Sequence, residues 1–425
     1  MTQGTLRAIT GWTIVIVTLF SAFLIYFFEG FNLLFLILLL FEMILVVRYR
    51  RIFSLGMIRT SQVLIGLLFL FSGFVKAVDP LGTAYQIEDY LDVYRINYGF
   101  GLSIFLSFTL NATELLLGGL MLLNIKHKIT PWLVAFMMGV FTLTTLYDAI
   151  YNPVPDCGCF GDAVIMTNWQ TFYKNLAINV FVLIVLLGRF KVFSVFRSAT
   201  EWRLAATLAI LFTGFQYMNY INLPMLDFRP YKIGNRLTPE NPQPVKNYLT
   251  YRNKITGETK EYLSPDYPFD DPEWLENWEF VSQRIDDPNK VNGMNLSVID
   301  FYGEDLTKYI MQNPDYHFIA VAWNLDKSDK DAFQLINQLY LSAEQKGIQF
   351  IVLTATLEEQ IQEFIVSQAL SPDMQFHYSD DIELKTMIRA NPGLFLIHDG
   401  VIVKKWHHND LPEWGVLEQE YFAER

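Results

Sequence analysis

The sequence predicts an all-α transmembrane helix bundle followed by a soluble α/β domain. The 425-residue chain is 52% hydrophobic and 18% charged. Its apolar residues are concentrated before Pro224, in runs long enough to cross a hydrocarbon core, which takes about 20 helical residues. Strand and helix patterns alternate from Leu296 onward. The part beginning at Met225 carries 33 acidic and 18 basic side chains, which argues against a nucleic acid as partner.

The apolar segments predict about seven membrane spans. The first two are separated only by Glu29 and Gly30, so they form either two spans or a partly embedded hairpin. The first is long and lacks a small-residue cleavage site, which disfavours a signal peptide. The seven segments are residues 9–28, 31–47, 61–78, 100–123, 132–150, 169–187 and 202–223.

Basic residues predict the orientation of the spans, because Lys and Arg in short loops favour the cytoplasmic side. They occur in alternate loops: Arg48, Arg50, Arg51 and Arg59; Lys126 and Lys128; Arg189, Lys191 and Arg197. We therefore expect a multi-pass protein of the inner (cytoplasmic) membrane, in contact with lipid, whose N-terminus is cytoplasmic. Both cysteines and the C-terminal domain would face the periplasmic or other extracytoplasmic side, where disulfides persist.

The only two cysteines, Cys157 and Cys159, lie in a loop between two apolar segments. Gly158 between them permits tight closure, and a disulfide across one residue is expected to be strained and to exchange readily. The alternative is a structural clip that shapes the loop. A zinc site is disfavoured because two cysteines without a nearby His do not supply four ligands, so no metal is predicted.

The sixth span is predicted to begin at a capping box formed by Thr167 and Gln170. Trp169, Phe172 and Tyr173 follow where an interfacial aromatic belt belongs. A helix N-terminus beside the cysteine loop can lower the pKa of a neighbouring thiol, if the cysteines pack against it.

Polar residues at membrane depth are candidates for function because an unpaired charge there costs about 3 kcal/mol on insertion scales. We rank Glu114 first, as a proton-handling or quinone-contacting residue. The alternative for Glu114 is a structural ion pair with Lys76 or Lys174. Asn175 and Asn179 lie on one helix face and form either part of a functional site or a polar contact between helices. The full set is Glu42, Lys76, Asn111, Glu114, Asp148, Lys174, Asn175 and Asn179.

Five sequence elements resemble the DoxX and MauE-like membrane proteins. They are Ser72-Gly73-Phe74-Val75-Lys76, Asp79-Pro80-Leu81-Gly82, a tyrosine-containing stretch through Tyr90, Glu114 with Gly118-Gly119, and Asp156-Cys157-Gly158-Cys159-Phe160-Gly161. The resemblance covers residues 59–189 and implies a four-helix core with quinone-linked or thiol redox function, including disulfide maturation in exported partners. Besides Cys157, Cys159 and Glu114 we assign supporting roles to Lys76, Asp79, Asp156, Gly158, Phe160, Gly161, Trp169 and Asn175.

The soluble tail begins with a linker in which residues 248–251 and 261–263 are predicted to pair through a turn at Thr256-Gly257. Residues 265–278 are acidic and expected to be irregular. Beyond residue 296 the predicted elements are strands at 317–323 and 348–356, helices at 331–345 and 358–367, a hairpin turning at Asp399-Gly400, and a last helix near 411–422.

This order of elements resembles the thioredoxin-like fold, with Pro392 where that family places a cis-proline. The thioredoxin Cys-x-x-Cys is missing, because Trp323 is followed by Asn324, Leu325, Asp326 and Lys327. The domain is therefore a binding or positioning module, or it docks over the two cysteines and governs access to them. Adjacent His407 and His408 are more typical of a solvated turn than of a metal site.

The predicted domains are residues 1–58 (transmembrane hairpin), 59–200 (four-helix core), 201–223 (seventh span), 224–295 (linker) and 296–425 (thioredoxin-like domain). The favoured function is a membrane thiol-disulfide redox protein that acts on an exported or membrane partner, with a quinone as the cofactor that the resemblance implies. The alternative is a non-catalytic membrane scaffold whose outer domain binds a partner in envelope assembly. A transporter is disfavoured because few polar residues fall in the spans.

Overall fold

The chain was analysed as a computed structural model, which describes residues 3–27, 29–96, 99–154, 157–194, 196–237, 244, 246–286 and 294–423. It divides into two compact units, Met1–Phe228 and Arg229–Arg425. In the described residues, the first unit is helical and the second carries two β-sheets. A helical membrane part and a soluble α/β part are therefore both present.

The first unit contains eight α-helices in its described residues. Each of the seven predicted apolar segments coincides over most of its length with an α-helix, and α4 is an additional helix in a stretch expected to be a loop. Asp79 begins α4, since its carboxylate accepts from the Gly82 N–H at 2.9 Å and Pro80 occupies the first helical position. The helices are α1 Gln3–Leu24, α2 Leu33–Arg48, α3 Leu55–Val78, α4 Pro80–Val93, α5 Phe100–Leu122, α6 Thr130–Tyr151, α7 Asn168–Gly188 and α8 Ser198–Ile221.

Five helices in the described residues are long and apolar enough to cross a membrane. They are α3, α5, α6, α7 and α8, and the span that contains α7 includes the turn that follows it and extends over Asn168–Lys191. The 16 residues of α2 fall short of the roughly 20 that a span needs, and in the described part of α1 the apolar stretch is Trp12–Leu24. The chain is thus a multi-pass membrane protein, and the count of seven spans stays a prediction.

Helix α7 is the most enclosed of the five, with 78% of its apolar window buried compared with 11% in α8. Helices α3 and α5 approach each other closely where glycines face the neighbouring backbone. A Cβ on Gly73 would lie 2.8 Å from the Leu115 nitrogen, and one on Gly118 would lie 2.7 Å from the Leu70 nitrogen. Small residues permit such contact between membrane helices, and the contact fixes which residues of α3 and α5 face each other.

The three basic loops lie at one end of the first unit. Lys191 after α7 donates to the Phe53 carbonyl before α3 at 2.8 Å, and Asn124 after α5 donates to the Phe193 carbonyl at 2.7 Å. Since α6 begins at this end and α7 returns to it, the cysteine loop between them lies at the opposite end.

The second unit begins with a small antiparallel sheet in the order β2-β1-β3. The predicted hairpin is confirmed, with Tyr248 opposite Leu263. The expectation that residues 265–278 are irregular is wrong for their second half, which forms a helix because Trp274 packs against Tyr251 with ring centroids 4.7 Å apart. The elements are β1 Lys246–Asn253, β2 Thr259–Leu263, α9 Pro272–Asn277 and β3 Trp278–Asp286.

A five-stranded sheet in the order β6-β5-β4-β7-β8 forms the rest of the unit. The first three strands are parallel, whereas β7 is antiparallel to β4 and β8 is antiparallel to β7. The predicted hairpin at Asp399-Gly400 is confirmed. The elements are α10 Thr307–Met311, β4 His317–Val321, α11 Lys330–Gln345, β5 Phe350–Thr354, α12 Glu358–Ser367, β6 Gln375–Tyr378, α13 Asp381–Met387, β7 Gly393–His398, β8 Val401–His407 and α14 Trp414–Tyr421.

Candidate functional site

The cysteine loop is held at both ends by hydrogen bonds. The predicted capping box is confirmed: the Thr167 hydroxyl accepts from the Gln170 N–H at 3.3 Å, and the Gln170 side chain accepts from the Thr167 N–H at 2.9 Å. Asn168 donates to Asn152 at 2.8 Å and to the Val154 carbonyl at 3.0 Å. These bonds join the end of α6 to the start of α7. Asp156, one of the predicted supporting residues, lies outside the described residues.

The two thiols face each other across Gly158. Both cysteines are free and half-buried, and their Sγ atoms are 2.7 Å apart. A disulfide bond is about 2.05 Å long, so a small torsional change brings the sulfurs to bonding distance. Gly158 adopts a φ of +56°, and a Cβ there would lie 1.8 Å from the side chain of Gln86 on α4. A residue with a side chain at this position would therefore bear a strained backbone conformation, and Gln86 would have to move.

A buried polar group lies directly beneath Cys159. The Ser72 hydroxyl on α3 is 2.7 Å from the Cys159 carbonyl oxygen and 2.8 Å from Glu114 Oε2. The ammonium group of Lys76 forms an ion pair with Glu114 Oε1, and the two residues are 5% and 1% exposed. The Ser72 hydroxyl has one proton for these two acceptors. It either donates to Glu114 and leaves the Cys159 carbonyl without a donor, or donates to that carbonyl while a protonated Glu114 donates to the Ser72 oxygen.

Lys174 on α7 lies beside the same loop. Its Nζ is 4.2 Å from the ring centroid of Phe160, a cation–π contact. A cavity of about 20 Å³ lies between the thiols and the buried polar group, which is room for about one water molecule. Its polar lining consists of Ser72, Lys76, Glu114, Cys159, Lys174 and Asn175.

The two thiols differ in acidity. The hydrogen bond from Cys157, followed by the positive charges of Lys174 and Lys76, lowers the pKa of Cys159 to about 6 although burial opposes the shift. The same hydrogen bond, together with burial, raises the pKa of Cys157 well above its ordinary value. The directions of the two pKa shifts favour Cys159 as the thiolate and Cys157 as the protonated thiol. A thiolate is the nucleophile in disulfide exchange.

Other predicted site residues have structural partners. Trp169 packs against Phe31 with ring centroids 5.1 Å apart. Asn175 donates to the Thr145 hydroxyl at 3.1 Å, which links α7 to α6. Asp79 caps α4, as described above. Gly161 adopts a φ of +49° and lies next to α3.

Four residues near the thiols received no individual role in the sequence prediction. Lys174 appeared as an intramembrane polar residue and as an alternative ion-pair partner of Glu114, Asp148 only as an intramembrane polar residue, and Ser72 and Tyr90 only inside motifs. Ser72 precedes Lys76 by four residues, so both lie on one face of a helix; that spacing was the available signal. The hydrogen bond from Tyr90 to Asp148 joins residues with no local sequence relation.

The second unit has no thiol, since both cysteines of the chain belong to the first. The Asn391–Pro392 peptide bond is cis. Trp323 is buried, and the ammonium groups of Lys327 and Lys385 lie 5.5 and 4.8 Å from its ring centroid. In the part of the chain that the structure describes, no group of three or more His, Cys, Asp and Glu side chains could hold a metal ion.

Comparison with known proteins bears on the first unit. Residues 53–192, about a third of the 425-residue chain, match the model of the family described as methylamine utilisation protein MauE. The match runs from just before α3 to just after α7 and includes the thiol loop. No curated protein matches the chain. The chain therefore contains a MauE-like membrane core.

Proposed function

We propose that this protein is an integral membrane thiol-disulfide redox protein that acts on exported partners through Cys157 and Cys159. The observation that carries the proposal is the pair of free thiols whose Sγ atoms are 2.7 Å apart. The opposite directions of their pKa shifts support it, because exchange needs one thiolate to attack and one thiol to resolve. The MauE-like core suggests an accessory role with partner proteins.

The exchange proceeds in two balanced steps. The Cys159 thiolate attacks one sulfur of the partner's disulfide, which forms a mixed disulfide and releases the other partner sulfur as a thiolate. Cys157 then loses its proton and attacks Cys159 Sγ, which forms the Cys157–Cys159 disulfide and releases the second partner thiolate. Two electrons pass from the pair to the partner, and the same steps in reverse oxidise a partner dithiol.

The buried polar group beneath the loop supports a role for Glu114 in these steps. Lys76 holds the Glu114 carboxylate, and Ser72 connects that carboxylate to the backbone of Cys159. A proton on Glu114 frees the Ser72 hydroxyl for the Cys159 carbonyl. We propose that this exchange of hydrogen bonds accompanies opening and closing of the thiol pair, with Glu114 as the proton-handling residue.

We propose the inner membrane as the location, with the thiols and the second unit on the extracytoplasmic side. The gathering of the three basic loops at one end of the first unit supports this orientation, because basic loops favour the cytoplasm. The thiol loop lies at the other end, where an oxidising compartment preserves disulfides.

We propose that the five-stranded part of the second unit is a thioredoxin-like domain. Its strand order, with antiparallel β7 and β8 beside parallel β4 and β5, and the cis peptide bond before β7 support this assignment. Because this domain has no cysteines, it performs no thiol-disulfide exchange. Its role is to bind the partner whose disulfide exchanges with the membrane thiols.

A quinone is the redox cofactor that the family resemblance implies, and one cavity fits such a group. It measures about 210 Å³, and its lining is apolar except for Lys174. It shares Leu68, Lys174 and Ile178 with the small cavity at the thiols. The apolar side chains would hold the body of the quinone and Lys174 would donate to its carbonyl oxygen; the bound group would supply two-electron acceptance.

The alternative is a non-catalytic scaffold whose outer domain binds a partner in envelope assembly. The absence of thiols from the second unit favours it, since that unit recognises partners without redox chemistry in either model. The two functions differ only in whether the membrane thiols form covalent intermediates.

Trapping of mixed disulfides tests the proposal. Cells that produce the full-length Cys157→Ala variant are quenched with acid, alkylated and analysed on non-reducing gels. We expect reductant-sensitive adducts that mass spectrometry assigns to Cys159, and none with the matched Cys159→Ala or double variant. Absence of adducts together with normal function of Cys157→Ala would rule out redox exchange and leave the scaffold.

A further inference from the structure

A second buried polar pair, formed by Tyr90 and Asp148, shares no residue with the pair of Lys76 and Glu114. The Tyr90 hydroxyl on α4 donates to Asp148 Oδ2 in the last turn of α6 at 2.7 Å. Asp148 is fully buried, with 0% of its surface exposed. Among the described residues, its other carboxylate oxygen, Oδ1, has no hydrogen-bond partner. One acceptor of a buried carboxylate thus remains unused. An unused buried acceptor costs free energy, so its presence calls for an explanation.

Helix α4 brings this pair to the thiols. The side chain of Gln86 lies against Gly158, so closely that a Cβ there would be 1.8 Å away. Gln86 and Tyr90 are four residues apart and therefore share one face of α4. Burial and Asp148 raise the pKa of Tyr90, and the charges of Cys157 and Cys159 raise it further, as expected for a phenol near the sulfurs.

The exchange requires a proton acceptor for Cys157. Lys174 and Lys76 stabilise the thiolate of Cys159, but a cation with no free lone pair does not take a proton from Cys157. Glu114, which we assign to the exchange of hydrogen bonds at Ser72, has both carboxylate oxygens engaged by Lys76 and Ser72. Among the described residues, Asp148 is buried with one carboxylate oxygen that has no hydrogen-bond partner, and the hydroxyl joined to its other oxygen is that of Tyr90.

We propose that Asp148, acting through the Tyr90 hydroxyl, accepts the proton of Cys157 in the resolving step. The inference rests on the proposed function. Tyr90 receives the proton of Cys157 as its own passes to Asp148, the Cys157 thiolate attacks Cys159 Sγ, and the bond between Cys159 and the partner sulfur breaks. In the reverse direction Asp148 returns the proton to the departing Cys157 thiolate. Asp148 is thus a positioning and proton-holding residue that acts through Tyr90.

A bulk structural role is the competing explanation, because the Tyr90–Asp148 bond also joins α4 to α6. The two explanations differ in what they predict for the two steps of exchange. A proton acceptor for Cys157 affects resolution and leaves the attack by Cys159 unchanged. A structural clamp affects both steps.

A symmetrical aromatic disulfide that releases a coloured thiolate separates the steps. With the reduced full-length protein in detergent, attack by Cys159 releases one coloured thiolate and resolution by Cys157 releases a second. We expect Asp148→Asn and Tyr90→Phe to slow the second phase at least about tenfold, which corresponds to a barrier increase of about 1.4 kcal/mol, while the first phase stays within about twofold. Asp148→Glu is expected to restore part of the second phase.

Tyr147→Phe is the matched control, since Tyr147 adjoins Asp148 in sequence and its ring packs against Tyr94 and Tyr151. It should leave both phases unchanged. An unchanged second phase in Tyr90→Phe, or an equal loss of both phases in each variant, overturns the proposal. If Asp148→Asn does not fold, Tyr90→Phe decides, because it removes only a hydroxyl. Wild-type protein that shows no second phase contradicts the proposed function itself.

Discussion

The two units of this chain differ in where they hold thiols and β-structure. The helical unit Met1–Phe228 contains both cysteines and no sheet in its described residues. The unit Arg229–Arg425 contains the α/β sheet and no cysteine. Soluble oxidoreductases place thiols and partner recognition on one domain, whereas here the reactive pair belongs to a membrane bundle.

The two units also differ in how deeply their ion pairs are buried. In the membrane unit Lys76 and Glu114 are buried and paired, and they influence a thiol a few ångströms away. In the outer unit the pair Lys346–Glu418 is largely exposed, with side chains 54% and 40% accessible. Water screens the second pair and not the first. The buried pair of the membrane unit is therefore the more sensitive of the two to loss of one partner.

The largest expected effect comes from breaking the buried ion pair. Glu114→Gln leaves Lys76 buried and unpaired, which costs about 3–5 kcal/mol. The matched change Glu418→Gln in the outer unit should cost less than about 1 kcal/mol, because exposed pairs contribute little. Thermal unfolding of the full-length protein in detergent checks both. Equal effects of the two variants would contradict the contrast between the units.

The second contrast uses two glycines with positive φ. Gly158→Ala must bear the left-handed conformation and a clash with Gln86, in sum about 3 kcal/mol, or roughly a hundredfold loss of exchange rate. Gly257→Ala in the outer hairpin, with a φ of +74° and no atom within 4 Å of its Cβ, bears only the backbone cost and should leave exchange unchanged. The coloured-disulfide reaction measures both, and normal exchange in Gly158→Ala would show that the loop is not held by this packing.

Much of the fold could be predicted from the sequence because hydropathy and periodicity are local signals. Helix α12 has the predicted bounds, and every apolar segment is helical over most of its length. Helix α4 was missed because Glu88, Asp89 and Asp92 make its stretch resemble a polar loop. Strand β3 was missed because it follows an acidic segment, and its pairing with β1 is decided by tertiary contact.

Less of the site could be predicted, because it is assembled from distant helices. The cysteine pair and Glu114 stand out in the sequence, but their proximity depends on the contact of Gly73 and Gly118 between α3 and α5. That contact sets the rotation of each helix, and rotation is not encoded in a hydropathy pattern. The bond between Tyr90 and Asp148 spans 58 residues, so no local spacing reveals it.

A smaller effect is expected from removal of one positive charge near Cys159. Its pKa of about 6 lies below the ordinary thiol value, so the thiolate forms, and alkylation accelerates, as pH rises through about 6. Lys174→Met should move this midpoint upward by roughly one pH unit. Lys128→Met at the opposite, basic end of the bundle is the control and should leave it in place. Alkylation rates across pH measure the midpoint, and an unshifted midpoint in Lys174→Met would remove Lys174 from the site.

The smallest effect is expected when the outer unit is removed. A chain that ends at Phe228 should react with the small aromatic disulfide within about twofold of the full-length rate, because both thiols belong to the part that remains. Trapping of the protein partner by Cys157→Ala should fall sharply in the same truncation, since the binding domain is gone. A several-fold faster reaction with the small disulfide would instead show that the outer unit covers the thiols. Unchanged partner trapping would mean that recognition belongs to the membrane core, and the division of labour between the two units would then be wrong.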